Sequence, residues 1–136
     1  MNVIVAIDSL KGSLSSLQAG AAAKAGILRA IPAATVSIKP VADGGEGTVT
    51  ALVSGLSGES VTIPVTGPLG ETVEATYGIL PDHTAVIEMA EAAGLPLVPA
   101  EKRNPMNTTT YGVGEMILHA LDEGCRSFII GIGGSA

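Results

Sequence analysis

Three short stretches place glycine beside groups able to handle an anion or a proton: DSLKGS (8–13), ADGGEG (42–47) and GIGGSA (131–136). In the first, Lys11 supplies a point charge and Ser9 and Ser13 supply hydroxyls, just ahead of a segment that reads as a helix. A helix N-terminus favours an anion, because its first N–H groups lack partners and its dipole is positive there. Lys11-Gly12-Ser13 has no upstream glycine at Walker A spacing, so the stretch is not that motif. Asp8 reads equally well as a local cap. In the second stretch, three glycines let the backbone approach a ligand, and Asp43 and Glu46 flank a glycine pair. Carboxylates with few bases nearby suit Mg2+, which takes one or two of them and completes its shell with water and phosphate oxygens. The competing reading is a domain-crossing turn with Glu46 at a helix N-terminus. In the third, the N–H groups of Gly133, Gly134 and Ser135 can form a nest for a phosphate.

Other polar residues carry weaker signals. Glu88 falls in a strand and Glu91 just beyond it, and Arg103 lies in a long loop. Thr108, Thr109 and Thr110 precede a helix, where one of them is expected as N-cap. His83 and His119 have no partner at metal-ligand spacing and read as surface or packing residues. Cys125 is the only cysteine; beside Phe128 and Ile129 it reads as a small buried residue rather than a nucleophile.

The elements that must position these groups follow from periodicity. VIVAI (3–7) is a short apolar run, as in a buried strand. SSLQ from Ser15 matches a capping box, with Ser15 as N-cap and Gln18 at N3. Leu14, Leu17, Ala21, Ala25, Leu28 and Ile31 then recur at near-helical spacing, and Pro32 stops the helix. TVSIKPV (35–41) alternates, which completes a β-α-β unit with parallel strands. A short helix is expected over 47–56, then a hairpin of strands 60–66 and 71–79 about the GPLG turn. A strand over 84–89, a Pro-rich irregular stretch over 92–109, a helix over 111–123 with Gly124 at C′, and a strand over 127–132 complete the order. The fold class is α/β: an opening βαβ, then an αβββαβ segment of mixed-sheet type. The expected division is 1–45 and 46–136.

Composition bounds the function. Hydrophobic residues make up 46% of the chain but aromatics only 2%, so the core must be aliphatic, with Tyr77, Tyr111 and Phe128 as its only rings. Seven Lys and Arg against thirteen Asp and Glu give a net charge of −6, which argues against nucleic-acid binding and against basic membrane-surface binding. No apolar run approaches the roughly 20 residues needed to span a bilayer. The start MNVIVAIDS has no basic segment ahead of its short apolar run, unlike a signal peptide, so a cytoplasmic protein is expected. The αβββαβ order also occurs in nucleases related to restriction enzymes. Those carry an acid and then Glu-x-Lys, whereas here Asp82 precedes EMA (88–90) and the lysine is missing.

DSLKGSLSS, PVADGGEGTV, VTGPLG, YGILPD, AVIEMAEAAGL, TTTYGVGEMI and IIGIGGSA occur in this order along the chain, which resembles the type I glycerate kinase family from Met1 to Ala136. The resemblance implies a flavodoxin-like domain into which a second α/β domain of restriction-enzyme-like topology is inserted. The chain would be an N-terminal fragment ending inside the GIGGSA motif. It further implies transfer of the γ-phosphoryl of ATP, with Mg2+, to a hydroxyl of D-glycerate, giving 2-phosphoglycerate, or 3-phosphoglycerate as assigned to some members. On that basis Lys11, Ser9 and Ser13, with Asp8, are expected to hold phosphate or the substrate carboxylate. Asp43 is expected to bind Mg2+ or orient the hydroxyl, with Glu46 in support. Arg103 would pair with the substrate carboxylate, with Thr108 and Thr109 nearby, and Gly133, Gly134 and Ser135 would touch nucleotide phosphate. As a fragment, the chain is expected to expose apolar sheet faces through which it could self-associate, and to be catalytically inactive or only a nucleotide- or organic-acid-binding module if its site is incomplete.

Overall fold

The computed structural model describes residues 1–10 and 12–136, so Lys11 lies outside the described residues. Strand β1 (Asn2–Ile7) leads into helix α1 (Ser16–Ala30) and strand β2 (Thr35–Pro40), which pairs in parallel with β1 in the register Asn2↔Thr35 to Ile7↔Pro40. Helix α1 starts where the capping box places it. The Ser15 hydroxyl accepts the Gln18 N–H, and the Gln18 side chain accepts the Ser15 N–H.

The buried stripe of α1 differs from the expected one. Leu14, Leu17 and Ile31 are exposed, whereas Ala19 and Gly20 are buried, with Ser16, Ala23 and Ile27 half-buried along the same line. The cause is the closeness of the packing. A Cβ on Gly20 would stand 2.6 Å from Cγ2 of Ile38, so only the small-residue face of α1 can lie on β2. On the opposite face of the two-stranded sheet Ile4 is open, while β2 presents Thr35, Ser37 and Lys39.

Helix α2 (Thr48–Leu56) crosses to a four-stranded sheet of order β3-β4-β5-β6, formed by β3 (Glu59–Thr66), β4 (Thr72–Ile79), β5 (Thr84–Glu88) and β6 (Ser127–Gly131). β3, β4 and β5 are antiparallel neighbours, and β5 runs parallel to β6. A short helix α3 (Met89–Ala93) runs two residues into the stretch read as irregular, which also holds three single 3-10 turns between Leu95 and Asn107. Met89 thus opens a helix instead of closing the strand. Helix α4 (Tyr111–Asp122) ends at Gly124, whose φ of +88° fits the left-handed C′ position.

Side chains alternate across this sheet. Val65, Ala75, Tyr77, Ala85 and Ile87 pack against Met116 and Ala120 of α4. Val86 packs on the other side with Val49, beneath α2. Tyr77 is the one ring that is fully buried. Its hydroxyl lies 2.9 Å from Nδ1 of His119, and burial pushes its pKa up to about 12. Tyr111 is 66% exposed and is not a core residue. Cys125 is buried as expected, and desolvation raises its thiol pKa. Among the described residues no helix is long and apolar enough to cross a membrane.

Because Met116 is fully buried against both β4 and β5 residues, Met116→Ala should cost about 2–5 kcal/mol. Urea unfolding followed by circular dichroism measures it. A loss under 1 kcal/mol would mean that α4 does not close this core.

Candidate active site

The parallel pair β5 and β6 ends at Glu88 and Gly131, which are register partners, and ligands of α/β sheets gather at such carboxyl ends. The ADGGEG loop passes directly over these ends. A Cβ on Gly131 would stand 2.5 Å from the Gly44 carbonyl oxygen, and one on Gly133 would stand 2.8 Å from Cα of Gly45. The Gly133 N–H donates to the Gly44 carbonyl at 3.1 Å. The two glycine-rich loops therefore meet backbone to backbone, at a separation that leaves no room for a side chain on Gly131 or Gly133. Beyond this contact Leu95 N–H donates to the Gly134 carbonyl, and Ala136 N–H to the Ala93 carbonyl.

A cleft of about 360 Å³ opens beside this junction, bounded by Ser9, Ser15 and Ser16 on one side and by Glu46, Thr50, Thr76, Glu88 and Glu91 on the other. Glu46, Glu88 and Glu91 also line an adjoining recess of about 330 Å³, whose far side includes Leu97 and Gly134. Each acid is oriented differently. Glu88 is 4% exposed, and its two oxygens accept N–H groups from Gly47 at 3.3 Å and Val49 at 2.6 Å. Glu91 accepts the Thr76 N–H at 3.1 Å. Glu46 is exposed to solvent. Desolvation pushes the Glu88 pKa up, Glu91 and Glu46 push it the same way, and the two N–H groups oppose the rise.

The structure brings some of the expected residues together. Ser9, Glu46 and Gly134 border the two recesses, and Gly133 touches Gly45. The Ser9 hydroxyl oxygen is buried without a hydrogen-bond partner, while its N–H donates to Asp8 at 2.6 Å, so Asp8 is a local cap. Asp43 accepts the Gly45 N–H at 3.1 Å through one oxygen. Ser135 pairs with Gly94 in an isolated bridge. Thr108 reaches the chain end, its hydroxyl 3.4 Å from the Ala136 carbonyl.

Other residues serve the framework. Ser13 N–H donates to the Leu10 carbonyl, and Arg103 Nε donates to the Val98 carbonyl at 3.2 Å; neither lines a recess. Thr110 is the N-cap of α4 but makes no side-chain cap bond. Thr109 instead accepts the Tyr111 N–H, and its own N–H donates to Pro68 of the GPLG turn. Among the described residues no three His, Cys, Asp or Glu side chains form a metal cage. The acids offer hard oxygen donors singly or in pairs, the mode in which Mg2+ is shared with substrate phosphates. Glu88 and Glu91 were marked only weakly by sequence. The available signal was an acid closing the otherwise apolar run TAVIE, a strand buried at every position.

Two predictions follow from this geometry. Gly131→Ala should push the 42–47 loop off the sheet and destabilise the chain by about 1–3 kcal/mol, read from urea midpoints. A wild-type midpoint would refute the close contact. Glu88, with its folded pKa raised, contributes stability present below the ordinary carboxyl value of 4.5 and lost as pH rises through the folded value. The melting temperature of the wild type relative to Glu88→Gln should therefore fall as pH is raised through that window. A constant difference between the two would contradict the shift.

The glycerate kinase family model matches residues 3–136. The chain is 54% identical over 135 residues to the glycerate kinase of Halalkalibacterium halodurans and 55% identical over 137 residues to that of Bacillus subtilis. It is 52% identical over 137 residues to the glycerate 2-kinase of Escherichia coli. These matches cover 98%, 100% and 100% of the chain, and 36% of each relative. A crystal structure assigned as glycerate kinase 2 of Salmonella typhimurium LT2 superposes with a TM-score of 0.84 at 49% identity, covering 99% of this chain and 36% of that one. The chain thus spans about a third of the length of the relatives it matches.

Proposed function

The chain belongs to the glycerate kinase family, and from that premise we propose that it carries part of the site of an ATP-dependent, cytoplasmic kinase that phosphorylates D-glycerate. The observation that carries the reading is the junction of the two glycine loops over the carboxyl ends of β5 and β6, with an acid-lined cleft beside it. Residues 1–45 would belong to the first domain and 46–136 to the second, with the loop at their boundary.

Phosphoryl transfer depends on positioning the partners and on neutralising charge around the γ-phosphate. Glycerate and ATP are both anions, and Glu46, Glu88 and Glu91 line the cleft, so the cleft cannot hold a phosphate without cations. Mg2+ would supply that charge, held by Asp43 with Glu46 in support, and Lys11 would add a second positive group. The buried, unpartnered Ser9 hydroxyl offers a hydrogen bond to the same ligand. The backbone N–H groups around Gly134 and Ser135 would face nucleotide phosphate, and Arg103, Thr108 and Thr109 would approach the substrate carboxylate from the 3-10 segment. Ser13 would stay with the first loop. The attacking glycerate oxygen bonds to the γ-phosphorus as the bond to ADP breaks, and Asp43, in its alternative role of orienting the hydroxyl, would take the proton. The name of the Escherichia coli relative favours the 2-hydroxyl and hence 2-phosphoglycerate.

The test is ADP release from MgATP with and without D-glycerate, coupled to identification of the phosphoglycerate by NMR. Glycerate-dependent release is expected. Asp43→Asn should lower kcat by roughly 100-fold or more while the far-ultraviolet spectrum is unchanged. Near-normal kcat in that variant removes Asp43 from the chemistry. No release from a folded chain would mean that these residues do not complete the site by themselves.

A further inference from the structure

The loop that carries Asp43 and Glu46 has few fixed points, and one of them is a buried charge on a distant strand. Glu88 is the last residue of β5 and, by alternation with Ile87, faces α2. Its carboxylate spans two donors: Oε2 accepts from Gly47 and Oε1 from Val49, 41 and 39 residues away in sequence. Helix α2 has no side-chain cap of its own. Its N-cap Gly47 is left-handed at φ +92°, and no acid lies in its first turn. The Thr48 N–H between them donates to the Gly45 carbonyl, so without Glu88 it is the Gly47 and Val49 N–H groups that would lose their partner.

We propose that Glu88 is a positioning residue for phosphoryl transfer: by accepting the Gly47 and Val49 N–H groups it fixes the 42–47 loop over the ends of β5 and β6, and so sets where Asp43 and Glu46 stand. The proposal rests on the kinase reading of that loop. Other contacts also hold the loop, among them the Thr48 N–H to the Gly45 carbonyl at 3.2 Å and the Gly45 N–H to Asp43. Gly133 N–H binds the Gly44 carbonyl, and the Thr48 hydroxyl donates to the Gly45 carbonyl at 2.8 Å. Glu88 is the anchor on the C-terminal side, one residue from Glu46. A glutamine has the same shape but only one acceptor oxygen, so it turns an NH2 toward one of the two N–H groups and cannot satisfy both. An apolar residue would fill the space without the desolvation of a charge, so packing alone does not call for a carboxylate here.

The experiment compares wild type with Glu88→Gln and Glu88→Asp in two arms. In the first, hydrogen exchange at the amides of residues 44–49 should speed up at least tenfold in Glu88→Gln, while the amides of β4 hold. Exchange unchanged at 44–49 overturns the tether, whether or not the wild type turns over glycerate. In the second, glycerate-dependent ADP release should show kcat lowered ten- to a hundredfold in Glu88→Gln, with KM for glycerate and MgATP within threefold. Glu88→Asp keeps both acceptor oxygens and should recover part of kcat. A loosened loop with normal kcat would overturn the positioning role, as would a kcat loss matched by an equal loss of folded protein. A silent wild type would mean that these residues do not complete the site by themselves, and the exchange arm would still decide the tether. If Glu88→Gln fails to fold, Glu88→Met, which fills the space and carries no acceptor oxygen, takes its place in both arms, with the same outcomes deciding.

Discussion

The Gly44 carbonyl rests against Gly131 and accepts the N–H of Gly133. At that distance neither Gly131 nor Gly133 can carry a side chain, so the site is built where two backbones touch. Much of the architecture serves this contact. β5 and β6 run parallel so that their ends are level, and Gly131 stands directly beside Glu88. The chain leaving β2 can then cross the sheet end and begin α2, which returns to cover Val86. A larger residue at Gly131 or Gly133 would lift the loop.

The electrostatics of the cleft are unusual for a site that would serve two anions. Three glutamates line it in a chain of net charge −6. They do not converge as a metal cage, and two of them already accept backbone N–H groups. The acids therefore divide into supports, Glu88 and Glu91, and a solvent-facing group, Glu46. On the kinase reading, affinity for phosphate at this cleft would have to come with a cation.

Local chemistry was legible in the sequence wherever the interacting residues were close together. The Ser15–Gln18 box, the hairpin around GPLG and the left-handed Gly124 each act within a few residues, and each appears as read. Packing was less legible. The leucine-rich line of α1 suggests a buried face, yet the helix lies on Ala19 and Gly20, because proximity to Ile38 selects small residues over large ones. The TTT run suggested a hydroxyl cap at the start of α4, and the Thr109 hydroxyl does accept the Tyr111 N–H; what the run did not show is that the Thr109 N–H bonds to Pro68 of the GPLG turn, far back in the chain. Family motifs marked the three loops without showing that Ser13 and Arg103 stand outside both recesses. The role of Glu88 depends on residues some 40 positions away, and a single sequence carries no record of such a pairing.

That remote cap also has a consequence for the order in which the molecule assembles. Helix α2 has nine residues, among them two threonines and two valines, and isolated helices shorter than about 12 residues are marginal in water. The Gly47 and Val49 N–H groups at its start are paired by a carboxylate on β5, a strand that is itself held by β4 and β6. Contacts at such separation form after the entropy of closing the intervening chain has been met. The loop between β2 and α2 therefore takes its final shape late, once the sheet is in place. Mutations that slow the hairpin would delay the site along with it, even when they touch none of its residues.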